Sequence, residues 1–209
     1  MAIYCTEAER HNYEEEGYWR ALPKLVPSLV FTTRFLNDWK EVTTWDMFAK
    51  RRVLIFSLPG AFTPTCSNHQ LPAFEQMAED IYCEGIDDIY CITVNDAFVC
   101  NAWAADQNLK EVVVIPDGNG RFTSEMQMSV DKDNVGFGAR SWRYAAVYDD
   151  GMLVWSGVEE GFGDNFEGDP YEVSKPENVL EAVKGLNFTK GKEINLDFSD
   201  TTDVKETFS

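Results

Sequence analysis

An apolar run, Val53-Leu54-Ile55-Phe56-Ser57-Leu58, stops at Pro59-Gly60, and Leu71, Phe74, Ala78 and Ile81 follow at helical spacing. This junction constrains the fold more than any other stretch. A run that is apolar on both sides of its alternation reads as a strand covered on both faces, hence central in a sheet. Pro-Gly reads as a turn, and the spacing beyond it as a helix running to about Cys83. Thr63 suits an N-cap, and Pro64 suits the first helical position, where a missing N–H costs nothing. Cys66 then falls in the first helical turn. Unpaired backbone N–H groups and the positive dipole end gather there, and both favour a thiolate. Pro72 removes a hydrogen bond inside the helix and predicts a kink.

Upstream, residues 29–33 and 39–43 read as a β-hairpin, after which Thr44 caps a short helix through Met47 and Phe48. Downstream, residues 88–94 form a second buried strand. A helix starts near Asn95 or Asp96 with Phe98, Ala102 and Ala105 on one face. Residues 112–115 are a strand ended by Pro116-Asp117-Gly118, and a short helix lies near 122–129. Strands at 144–148 and 152–155 flank an Asp149-Asp150-Gly151 hairpin turn. The acidic, Gly-rich residues 159–170 read as a solvated loop, and 176–185 as a last helix. Strands alternating with helices, plus two hairpins, indicate an α/β fold. Residues 1–23 read as an N-terminal extension, 24–186 as one domain and 187–209 as a flexible acidic tail.

With 209 residues and 44% hydrophobic content, the chain suffices for one domain with a substantial core. A formal net charge of −18 argues against a nucleic-acid or anionic-membrane partner, since both repel an acidic surface. No apolar run is long enough to span a bilayer, and residues 1–20 lack a signal peptide's apolar centre. The five cysteines, at 5, 66, 83, 91 and 100, form an odd set without close pairs. They read as reduced thiols in a cytoplasmic protein. Without C-x-x-C spacing and with two histidines, His11 and His69, no zinc site is expected. Asp164, Glu167 and Asp169 do not match a calcium loop, and no flavin, haem or nucleotide motif occurs. No metal or cofactor is therefore expected. Trp103, Trp142 and Trp155 read as core or interface anchors.

Pro59, Thr63 and Cys66 meet the Pro-x-x-x-Thr-x-x-Cys pattern of peroxiredoxin active sites. Further blocks agree in order: residues 94–98 (VNDAF), 101–103 (NAW), 116–120 (PDGNG) and 136–144 (GFGARSWRY). Over residues 24–185 the chain resembles the type II, or Prx5-like, peroxiredoxins, and most resembles the peroxiredoxin half of bacterial peroxiredoxin–glutaredoxin hybrids. The resemblance implies a thioredoxin-like fold, with a central mixed sheet flanked by helices. It implies a thiol peroxidase that reduces hydrogen peroxide and alkyl hydroperoxides through a Cys66 sulfenic acid, recycled by glutathione or glutaredoxin. It also implies a homodimer formed beside the active site. A thioredoxin-dependent peroxidase and a non-enzymatic peroxide sensor are the alternatives. The chain holds no C-x-x-C, so a separate glutaredoxin, or glutathione itself, is the expected reductant.

Each site residue carries a competing reading. A lone cysteine is commonly a small buried hydrophobe, but Cys66 at a capped helix start suits a nucleophile. Thr63 can cap, donate to peroxide, or both. The resemblance puts Arg143, at a strand start, beside Cys66 as a fixed cation; Arg140 competes but reads better as a surface ion pair. Pro59 would fix the turn and shield the thiolate from water. His69 lies three residues past Cys66, within reach of a Cys–His pair, yet related sequences put their histidine where this chain has Gln70. Cys83 falls about 25 Å along the helix from Cys66, and Cys100 has no evident route to it. Plant type II enzymes have a second cysteine at the place of Cys91. Here Cys91 lies in a predicted buried strand, so an external thiol is expected to finish the cycle.

Overall fold

The computed structural model describes residues 22–35, 38–186 and 188. Residues 1–21 and 189–209, which carry most of the expected extensions together with Cys5 and His11, lie outside the described residues.

The chain enters through an antiparallel hairpin, β1 (Val30–Phe35) and β2 (Asp38–Thr43), and a short helix, α1 (Thr44–Phe48). The cap of α1 is Thr43, not Thr44. Thr43 Oγ1 accepts from the Asp46 N–H at 3.1 Å, and the Asp46 carboxylate accepts from the Thr43 N–H at 2.9 Å. This reciprocal bond needs an acid three residues past the cap, which Thr43 has and Thr44 lacks. Thr44 is buried and accepts from the Leu29 N–H at 3.1 Å.

Then come β3 (Arg52–Leu58), a π-turn over Cys66–Gln70 and helix α2 (Leu71–Cys83). They are followed by β4 (Asp88–Thr93), α3 (Ala97–Asp106), β5 (Val113–Pro116) and α4 (Arg121–Glu125). A small hairpin of β6 (Ser129–Asp131) and β7 (Ala139–Ser141) precedes β8 (Tyr144–Asp149), β9 (Met152–Val158) and α5 (Pro176–Gly185). The main sheet has the order β5-β4-β3-β8-β9. Strand β3 runs parallel to β4 and antiparallel to β8, so the sheet is mixed and the apolar run is its middle strand.

Both faces of β3 are covered, as its composition requires. Val53 and Ile55 join a core with Phe31, Phe48, Tyr90 and Tyr148. Leu54, Phe56 and Leu58 join another with Cys66, Phe74, Ile81 and Cys91. Phe56 and Phe74 stack with centroids 4.0 Å apart, which fixes α2 on the sheet and adds about 0.5–1.5 kcal/mol beyond area burial.

The break expected at Pro72 takes the form of a π-turn just before it. The Leu71 N–H donates to the Cys66 carbonyl, five residues back, which widens the ladder ahead of the missing proline donor. The buried face of α3 also differs from expectation: it is Ala97, Cys100 and Trp103. Phe98 is 60% exposed and meets Trp39 edge-on at 5.9 Å. This helix is apolar nearly all round, so its periodicity does not set a phase.

Candidate active site

Cys66 opens the π-turn at the foot of the helical segment and is fully buried. Pro59 and Gly60, also buried, carry the chain out of β3. Phe62 takes a left-handed backbone (φ 61°), a sparsely populated conformation that costs of order 1–3 kcal/mol and is typical of functional loops. Pro64 is the first helical residue, and the Thr63 carbonyl accepts from the Ser67 N–H at 2.9 Å. The Thr63 hydroxyl donates to the Gly60 carbonyl at 2.9 Å. Its one proton is thereby committed to Gly60, so the expected donation from Thr63 to a peroxide is not available and its lone pairs remain as acceptors.

The separated sequence blocks meet around this loop. Asn95 Oδ1 accepts from the Ala61 N–H at 2.9 Å and from the Thr93 hydroxyl at 3.0 Å, which ties the loop to the end of β4. Trp103 Nε1 donates to Ser67 Oγ at 3.0 Å, which ties α3 to the helix start. Gly118 backs the same corner: a Cβ there would lie 3.2 Å from Asp96 Cα, tighter than most side chains tolerate.

Arg143 comes from far along the chain through sheet register. Tyr144 pairs with Ser57, so Arg143, one residue earlier, stands at the end of β3 where the Cys66 loop leaves. The side chain is 2% exposed, and Nη1 donates to Cys66 Sγ at 3.6 Å. Nη1 also bonds Gln70 Oε1, Nη2 pairs with Asp169, and Nε donates to the Pro170 carbonyl at 3.0 Å. Burial opposes charge on the guanidinium, but the Cys66 sulfur and the Asp169 carboxylate outweigh it and raise the Arg143 pKa. A permanent cation beside a buried sulfur is the arrangement that stabilises a thiolate.

Arg140 is at the rim rather than in a surface ion pair. Its Nη1 donates to the carbonyls of Ala139 (3.1 Å) and Val94 (3.4 Å). His69 is exposed, whereas Gln70 is buried against Arg143. The 159–170 segment is loop, as expected, but it is not wholly solvated, because Asp169 and Pro170 reach the site. Sequence reasoning missed Gln70, Asn95, Asp169 and Pro170. The family block at 94–98 holds Asn95, and the fall of Gln70 one helical turn past Cys66 could have signalled that residue; no local pattern pointed to Asp169 or Pro170 as site residues. Cys91 lies opposite Phe56 on β4 and is fully buried. Burial pushes its thiol pKa well up, and the nearby Cys66 sulfur adds to the shift. Among the described residues, no group of three or more His, Cys, Asp or Glu is placed to hold a metal ion.

The Redoxin family model matches residues 23–172, most of the described chain. The chain belongs to the peroxiredoxins. A peroxiredoxin of Rhizobium etli is 52% identical over 176 residues, covering 80% of this chain and 98% of that one. The hybrid peroxiredoxin hyPrx5 of Haemophilus influenzae is 44% identical over 158 residues, covering 76% of this chain and 64% of that protein. Among solved structures, reduced Prx3 of Vibrio vulnificus in complex with hydrogen peroxide superposes with a TM-score of 0.72 at 32% identity. That match covers 82% of this peroxiredoxin and 100% of the other chain. The fold is thus thioredoxin-like, with its central mixed sheet flanked by helices. The likeness to hyPrx5 agrees with the type II branch. This peroxiredoxin is a peroxidase, an oxidoreductase.

Proposed function

We propose that Cys66 is the peroxidatic cysteine of a one-cysteine enzyme that reduces hydrogen peroxide and alkyl hydroperoxides with glutathione, directly or through a separate glutaredoxin. The observation that carries this reading is the contact of the buried Arg143 Nη1 with Cys66 Sγ at 3.6 Å. The Cys66 thiolate attacks one peroxide oxygen; the S–O bond forms as the O–O bond breaks. The other oxygen leaves with the electron pair, takes a proton and departs as water or alcohol, and Cys66 becomes a sulfenic acid. Arg143 stabilises the charge on the leaving oxygen. Thr63, its proton held by Gly60, accepts the hydrogen bond of the peroxide O–H. Pro59 fixes the turn and keeps water from the sulfur.

Glutathione then displaces water from the sulfenic acid to give a mixed disulfide, and a second thiol releases Cys66. The resemblance to hybrid peroxiredoxins supports this reductant. The buried, poorly ionised Cys91 supports an external rather than an internal resolving thiol. The catalytic domain spans residues 24–186 and acts as a homodimer. The unpaired cysteines at 66, 83, 91 and 100 support a reducing, cytoplasmic location. No helix among the described residues is long and apolar enough to cross a membrane.

The test is mass spectrometry after one equivalent of peroxide with glutathione present. A glutathione adduct on Cys66 is expected. Cys66→Ser should lack both adduct and turnover, and Cys91→Ser should retain both. A dominant Cys66–Cys91 disulfide, with turnover lost in Cys91→Ser, would make this a two-cysteine enzyme.

A further inference from the structure

Three consecutive residues of the acidic loop surround one guanidinium. Asp169 pairs with Arg143 Nη2, the Pro170 carbonyl accepts from Nε at 3.0 Å, and the Tyr171 ring centre lies 5.6 Å from the guanidinium carbon. The loop is itself anchored. Glu159, 1% exposed, accepts at Oε1 from the Glu172 N–H (2.9 Å), the Ser174 N–H (2.9 Å) and the Ser174 hydroxyl (2.7 Å). The Glu159 N–H donates to the Arg143 carbonyl at 3.1 Å, so one residue holds both the loop and the arginine backbone. With Nε and Nη2 taken from the loop side, Nη1 is left to face Gln70 and Cys66 Sγ.

A guanidinium is a rigid planar fork, so fixing two of its nitrogens fixes the third. Without Asp169 the side chain could rotate about its last torsions and still satisfy itself elsewhere. We propose that Asp169 is a positioning residue for the peroxidase reaction, holding Arg143 with Nη1 on the Cys66 sulfur. This rests on the reading of Cys66 and Arg143 given above. Asp169 touches neither the sulfur nor the substrate position; it acts through Arg143.

The carboxylate also carries a charge. It lies across the guanidinium from the thiolate, so it partly offsets the cation that the thiolate feels. The other charged or titratable groups around this pair are Lys132, which feels both Asp169 and Arg143; Tyr171 and Glu159 from the loop; Glu177 beyond Tyr171; and Cys91 from β4. Removing geometry and removing charge therefore have different signatures. Asp169→Ala removes both, whereas Asp169→Asn removes the charge and keeps an acceptor oxygen.

Stopped-flow oxidation of Cys66 by hydrogen peroxide, followed from acid to alkaline pH, separates these. Misplacing a reacting group by about 1 Å can cost on the order of 10²-fold. Asp169→Ala is expected to oxidise about that much more slowly, with little change in melting temperature, since the side chain is 49% exposed. Asp169→Asn should keep most of the rate, and its pH profile should move to lower pH. In an Arg143→Gln background, Asp169→Ala should slow nothing further. Wild-type rates in both Asp169 variants overturn the proposal. So does a slow Asp169→Ala whose defect persists in the Arg143→Gln background, because a merely structural fault does that. If wild-type Cys66 is not oxidised at all, the underlying reading fails instead.

Discussion

Cys66 and Arg143 are 77 positions apart, yet Arg143 Nη1 and Cys66 Sγ lie 3.6 Å from each other. The cation is not an ordinary surface arginine: at 2% exposure, its field acts through a poorly screening interior. We therefore expect Arg143→Gln to slow Cys66 oxidation by about 10²–10³, the loss usual when one fixed donor to developing charge is removed. Arg140→Gln should cost much less, because that guanidinium serves the Val94 and Ala139 carbonyls at the rim. Stopped-flow rates of the two variants check this, and equal, small effects would refute it. The motif pointed to Cys66 and Thr63 in the sequence, and the structure puts Cys66 at the helix start as expected while the Thr63 hydroxyl donates to Gly60 instead. The same motif said nothing of Asp169, because a loop residue that meets its partner 26 positions away leaves no periodic trace.

At the scale of elements, the hairpins, the central strand and the last helix follow from local chemistry. The errors fall where local chemistry is degenerate, as at Thr43 and Thr44 or around the apolar helix α3. The Pro116-Asp117-Gly118 block shows a different role for a carboxylate. Asp117, 3% exposed, accepts from the Phe122 N–H (3.0 Å) and the Thr123 N–H (2.8 Å), which caps α4. Burial raises its pKa above the ordinary 3.8, and these hydrogen bonds offset the rise only in part. The folded state thus binds this proton more tightly than the unfolded one. Between the ordinary value and the raised one, Asp117 makes stability increase as pH falls. Asp117→Ala should cost about 1–2 kcal/mol at neutral pH, as for other lost caps. Asp117→Asn should cost less, and wild type should gain on it as pH drops towards 4. Melting curves across that range decide; wild type losing ground would reverse the sign.

Over the whole molecule, a formal charge of −18 makes self-repulsion a standing cost of the compact state. Salt screens repulsion between exposed charges across the surface, whereas the Arg143–Asp169 pair is anchored on a buried cation and is screened less. Exposed pairs such as Arg121–Glu125 contribute little. The melting temperature is therefore expected to rise between about 0.01 M and 1 M salt, where the Debye length falls from about 30 to 3 Å. A fall would mean that attractive pairs dominate. The sequence alone determined the α/β alternation, the centrality of Arg52–Leu58 and the helix start that holds Cys66, since strand and helix periods, turns and caps act within a few residues. The tertiary structure alone decided which face of α3 is buried, how Arg143, already indicated by the family resemblance, reaches the sulfur, and which loop holds it. Those depend on antiparallel register between β3 and β8 and on loop closure, and both join residues whose separation along the chain carries no local signal.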